Sequence, residues 1–146
     1  MDDKDLQTIK DHLKANKLMT IATIGADSDR PQSAVVAFAE LPSLEILFQT
    51  VEYSRKYRNL SENQAVALVI GWDLENYRTL QYEGLAEQIP VEESESYHHY
   101  FIDKDSPSSE IILKNPRARF FRIKPTWLRY SDYSCGNAQF IEHKFE

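Results

Sequence analysis

Apolar residues along this chain follow two spacings. Leu6, Ile9 and Leu13 recur at three- and four-residue steps with charged residues between them, which predicts a short amphipathic helix ending at Asn16-Lys17. From Leu18 onward the apolar positions come instead in short runs separated by turn residues. Leu18 to Ile24, with Thr20, Ile21 and Thr23, reads as a strand. Gly25 to Pro31 reads as a turn, because Gly, Asp, Ser and Pro tolerate tight backbone geometry. A second strand is expected from Gln32 to Glu40, a link at Leu41-Pro42-Ser43-Leu44, and a third strand from Glu45 to Thr50. So short a link favours antiparallel pairing.

Ser54 to Glu62 is expected to be a helix with Ser54 as its N-cap. Ala65 to Ile70 is apolar at every position, which predicts a strand covered on both faces, one by the core and the other by a helix or a partner subunit. Thr79 to Ile89 reads as a long strand whose interior Gly84 marks a bulge or a close backbone approach. Val91 to Phe101 reads as a helix with an acidic start, and Ser106-Pro107 opens another reaching Lys114. Ala118 to Lys124 and Thr126 to Tyr130 are expected as two strands broken at Pro125. Short strands with few helices predict a mainly β chain: a β-barrel with peripheral helices. No repeat or linker interrupts residues 1–146, so one domain is expected.

Composition narrows the function. Lys and Arg number 17 against 23 Asp and Glu, a net charge of −6, which repels phosphate polymers and argues against nucleic-acid binding. No apolar run approaches the roughly 20 residues of a membrane span. The acidic start Met1-Asp2-Asp3-Lys4-Asp5 lacks the character of a signal peptide. Cys135 is the lone cysteine, so an internal disulfide is excluded and a cytoplasmic location is expected. His98 and His99 are adjacent, which on a helix points them about 100° apart, and they read as structural.

The strongest chemical feature is Thr50 to Arg58. Arg55, Lys56 and Arg58 fall where a strand gives way to a helix, beside the hydroxyls of Thr50 and Ser54. The first N–H groups of a helix lack intrahelical partners and carry the positive end of its dipole. Together these groups suit a terminal phosphate, although a solvated basic face would carry the same residues. A second basic stretch, Lys114, Arg117, Arg119, Arg122, Lys124 and Arg129, reads mainly as surface charge.

Phe48 to Lys56, then Asn63, Val66-Ala67-Leu68 and Trp72, resemble the core of the pyridoxamine 5′-phosphate oxidase-like, FMN-binding split-barrel family. Arg78 to Glu87, with Gly84, resembles the family's next strand. Leu18 to Val36 resembles its first hairpin and Ile123 to Tyr130 its last. The resemblance implies a split barrel of six or more antiparallel strands that binds flavin mononucleotide (FMN) at the interface of a homodimer. It implies that Ser54, Arg55 and Lys56 hold the phosphate with Thr50 beside it. It further implies that the ring lies against Gln32, Ser33, Ala34 and Val35, and that Thr79 or the longer Gln81 approaches it. Tyr130 falls near an aromatic that the second subunit lays on the cofactor. The expected activity is that of a flavin-dependent oxidoreductase with an unknown small-molecule substrate; the alternative is a non-enzymatic flavin, deazaflavin or haem carrier. True pyridoxamine phosphate oxidation is not expected. No Arg or Lys occurs between Pro31 and Ser54, and the residues after Arg129 lack the family's closely spaced Arg and His.

Overall fold

The computed structural model describes residues 1–105 and 113–146. Helix α1 (Asp3–Ala15) leads into strands β1 (Leu18–Ile24), β2 (Pro31–Glu40) and β3 (Ile46–Val51), then helix α2 (Arg55–Glu62). Strands β4 (Ala65–Ile70) and β5 (Arg78–Gln88) follow, then a 3-10 helix (Val91–Tyr97), helix α3 (His98–Asp103), β6 (Ala118–Asp132) and β7 (Gln139–Lys144). The expected helix from Ser106 lies, up to Ile112, outside the described residues. Among those residues no helix is long and apolar enough to cross a membrane.

The sheet runs β3-β2-β1-β4-β5-β6-β7, every pair antiparallel, and β3 also pairs with β6. That last pairing closes β1 to β6 into a six-stranded barrel, with β7 appended to the outer part of β6. The chain is therefore a mainly β barrel with peripheral helices, as its pattern predicted, and a split barrel, as the resemblance implied. Inside are Met19, Ile21, Phe38, Phe48, Leu68, Ile70, Leu80, Tyr82, Ile123 and Leu128, all essentially inaccessible. The Tyr82 hydroxyl would be costly to bury alone; it donates to the carbonyls of Leu44 and Ile123 at 3.0 and 3.2 Å.

Helices close the two barrel ends. The α1 stripe of Ile9 and Leu13 packs against the core at one end, and Asp2 caps that helix by accepting from the Asp5 N–H at 2.7 Å. Helix α2 covers the other end with Leu60 and Tyr57. Outside the barrel, α3 lays Phe101 on Phe120, Leu47 and Ala39, forming a second apolar cluster.

Within this chain Ala65 to Ile70 buries Val66, Leu68 and Ile70 in the core and leaves Ala65 and Ala67 exposed, so the second face is left open by the described residues. Two expectations need correction. Pro125 does not break the last strand. It sits opposite Gly84 where the register shifts, so Thr126 is the extra residue of a bulge and β6 continues through. Pro is tolerated at such a point because no ladder N–H is needed there. The expected role of Gly84 holds, since a Cβ there would strike the Lys124 carbonyl and the Ile123 side chain. Finally, Val91 to Tyr97 is a 3-10 helix, and α-helix begins only at His98. Strand β7 was not anticipated from the sequence.

Candidate functional site

Strand β3 delivers the chain to a tight turn at 52–54, and α2 starts immediately after it. Ser54 is extended (φ −80°, ψ 158°) and its Oγ accepts from the Tyr57 N–H at 3.1 Å, as an N-cap should. Thr50 Oγ1 lies 2.7 Å from Ser54 Oγ, so the two hydroxyls brace the turn. Farther along α2, the buried Asn59 amide donates to Thr23 Oγ1 at 3.0 Å and to Gln32 Oε1 at 2.8 Å. Its Oδ1 accepts from the Ala26 N–H at 2.8 Å. One side chain thus fixes α2 against β1, β2 and the turn between them.

Between α2 and β2 lies a cavity of about 190 Å³ lined by Thr23, Gln32, Ser33, Ala34, Arg55 and Lys56. Five of the residues singled out from the sequence meet there; Thr50 and Ser54 are not among the lining residues and brace the turn that leads into α2. Lys56 is half-buried, and partial burial lowers its pKa. Among the described residues neither Lys56 nor Arg55 has an ion-pair partner, whereas Arg58 is tied to Asp27 at 2.6 Å. The second basic stretch is mostly neutralised. Arg117 and Arg119 share Glu52 at 2.8 and 2.9 Å, and the Arg117 hydrogen bond holds that carboxyl below its usual range. Arg122 faces Glu45 at 3.4 Å and Lys124 faces Glu87 at 3.6 Å. Arg129 stacks on Phe140 at 4.0 Å. Chemically, the α2 start offers a free cation pair, the Arg55 and Lys56 N–H groups that the Ser54 cap leaves unpaired, and a neutral polar wall on β2. That set receives an anion.

The remaining sequence candidates lie elsewhere in this chain. Val35 points outward and is 62% exposed, opposite Thr20 on β1. Thr79 and Gln81 face outward from β5; Gln81 lines a shallow groove with Thr20, Ala22, Ala67, Val69 and Trp127. Tyr130 points inward beneath α1, meeting the His12 ring edge-to-face at 5.3 Å. Within one protomer, then, Thr79, Gln81 and Tyr130 are not joined to the Lys56 cavity. Thr23 and Asn59 were missed. Asn59 did carry a signal, because Asn inside a helix is disfavoured unless its amide is engaged.

Residues 6–132 match the family described as Pyridoxamine 5′-phosphate oxidase. The chain belongs to that family. Among curated relatives, the pyridoxine/pyridoxamine 5′-phosphate oxidase of Methylibium petroleiphilum is 37% identical over 93 residues, 63% of this chain but 42% of the relative. The matched region therefore spans less than half the length of that oxidase. Among solved structures, a protein related to general stress protein 26 (pyridoxinephosphate oxidase family) from Clostridium acetobutylicum superposes with a TM-score of 0.76 at 16% identity. That superposition covers 99% of this chain and 97% of the other. A heme binding protein from Mycobacterium smegmatis superposes with a TM-score of 0.72 at 13% identity, covering 94% of this chain and 56% of the other. Identities this low establish a shared fold alone.

Proposed function

We propose that this family member binds FMN, with the phosphate gripped by Arg55 and Lys56 at the start of α2. The observation that carries the reading is Lys56: a cation held partly out of water, with no counter-ion among the described residues, in a cavity of about 190 Å³. A phosphate would supply the missing charge and accept from the first-turn N–H groups. Ser54 and Thr50 hold that turn in shape. Gln32, Ser33 and Ala34 form the wall against which a ring would lie, and Val35, facing outward next along the strand, would extend it.

The same reading includes a two-fold homodimer with the cofactor at its interface. The outer face of β1, β4 and β5 supports this, since Ala22, Ala67, Val69 and Leu85 leave it smooth and no helix among the described residues covers it. Thr79 and Gln81 lie on that face, where a second chain would bring them toward the cofactor. Tyr130 is left out of the grip, because it points into its own barrel beneath α1. Bound FMN would supply redox chemistry, making the protein a flavin-dependent oxidoreductase, while the residues named here bind and orient it.

Pyridoxamine phosphate oxidation is not proposed, because β2 carries no Lys or Arg to add to the grip. A haem carrier is the second reading, favoured by the fold shared with the mycobacterial heme binding protein. Against it, none of the residues lining the Lys56 cavity is a His. The test is titration of cofactor-free protein with FMN, read by quenching of flavin fluorescence, alongside haem read by its Soret band. Saturable 1:1 FMN binding with no haem shift is expected. Haem binding without FMN binding would replace this reading with the carrier.

A further inference from the structure

A larger cavity, about 470 Å³, lies at the opposite end of the barrel, between α1, the 71–77 loop and the start of β5. It is independent of the flavin reading: Met19, paired with Ile70 beside this cavity, stands four residues along β1 from Thr23, about 13 Å at the rise of a strand. Its volume falls in the range of small-molecule sites.

Two polar side chains form its floor. His12 is 9% exposed, and its Nε2 lies 2.8 Å from the Ile70 carbonyl; a carbonyl only accepts, so Nε2 carries the hydrogen. Burial disfavours the charged ring, and the neutral tautomer leaves Nδ1 as an acceptor. Tyr130 is 6% exposed, and among the described residues its hydroxyl has no hydrogen-bond partner. Burial and the nearby Asp132 raise the phenol's pKa, so the hydroxyl keeps its proton. The rim holds Asp11, Asp73 and Asp132 against a single cation, Arg78, whose Nε is bound to Asp132 at 3.2 Å. Three carboxylates against one committed guanidinium leave the cavity net negative.

We propose that this cavity is a second ligand site, and that it takes a small organic ammonium compound, with the ammonium at the carboxylate rim and a polar group on the Tyr130 hydroxyl. Tyramine hydrochloride, an ammonium compound with a phenol at its other end, is a suitable probe and 4-hydroxyphenylacetate its anionic counterpart of similar shape. NMR of the full chain should show saturable shifts of the His12 ring protons with tyramine, equally with and without FMN, and no such shifts with 4-hydroxyphenylacetate. Tyr130→Phe and Asp11→Asn, each checked for an unchanged fold by its amide spectrum, should each weaken binding at least threefold. Absence of a saturable His12 shift, equal binding of 4-hydroxyphenylacetate, or unchanged binding in both variants would overturn the proposal.

Discussion

Asn59 on helix α2 donates to the Gln32 side chain on strand β2 at 2.8 Å, across the mouth of the candidate cavity. The same amide reaches Thr23, and its oxygen takes the Ala26 N–H, so one buried residue satisfies three partners. Asn59→Ala would strand these partners, at about 1–3 kcal/mol for a buried group left unpaired. Urea denaturation should show a stability loss of that size or somewhat more. FMN affinity should fall as well, because the cation pair rides on the helix that Asn59 fixes. Unaltered stability would mean that water replaces the amide without cost.

Lys56→Ala should remove a charge-assisted bond to phosphate, a loss of about 1.5–3 kcal/mol, or roughly 10- to 100-fold in FMN affinity. Lys124→Ala is the matched control, since Lys124 is exposed and paired with Glu87. The control should bind as wild type does. Equal effects from the two variants would show that overall charge, not the α2 start, governs binding.

Ala67 sits on the uncovered outer face between Ala22 and Glu83. It is exposed in one chain, so Ala67→Arg should leave each barrel folded while placing a cation in any pairing of these faces. Light scattering should report a dimer for the wild type and a monomer for the variant. A dimeric Ala67→Arg protein would place the interface elsewhere.

Acid should loosen α1. His12 is buried beside Ile70 and its pKa is lowered, first by desolvation and further by Arg78, while the Ile70 hydrogen bond and Asp73 act in the opposite sense. The unfolded chain, with an ordinary imidazole near 6.5, therefore binds a proton more readily than the folded one. The stability from neutral His12 is whole above about pH 6.5, and it declines as pH falls below that and toward the lower folded value. Thermal unfolding between pH 7 and 5 should show a falling midpoint, shifting by about 2–4 °C for each kcal/mol lost in a domain of this size. His12→Gln, which still offers a donor to the Ile70 carbonyl, should flatten that dependence. An equally steep fall in His12→Gln would assign the effect to other groups.

The strands and the two capping helices were legible because their apolar spacing and cap residues are local signals. Ser54 illustrates this: one residue type in one position predicted the helix start that follows it. Partnership between distant charges was not legible. Arg117 and Arg119 read as surface charges, and no local signal showed that folding would bring Glu52 against both. The direction of Tyr130 also escaped, because the bulge at Thr126 resets which face each later residue of β6 presents. An aromatic that looked available to a partner subunit turned inward. Strand β7 stayed hidden because its exposed residues alternate only weakly in polarity.

Closure of the barrel by β3 and β6 also bears on how the chain is made. Ile46 pairs with Ile123 and Thr50 with Arg119, so the ring joins residues from the first half of the chain to its last quarter. During synthesis, β1 to β5 emerge as an open sheet with both edges unpaired, at β3 and β5. At about 5–20 residues per second, β6 arrives only seconds later. Through that interval the nascent chain exposes the apolar interior of Phe48 and Leu80 along with two free strand edges, the condition that invites edge-to-edge aggregation. Closing the ring with its last long strand thus places the period of greatest exposure during translation, before β6 pairs with β3 and β5.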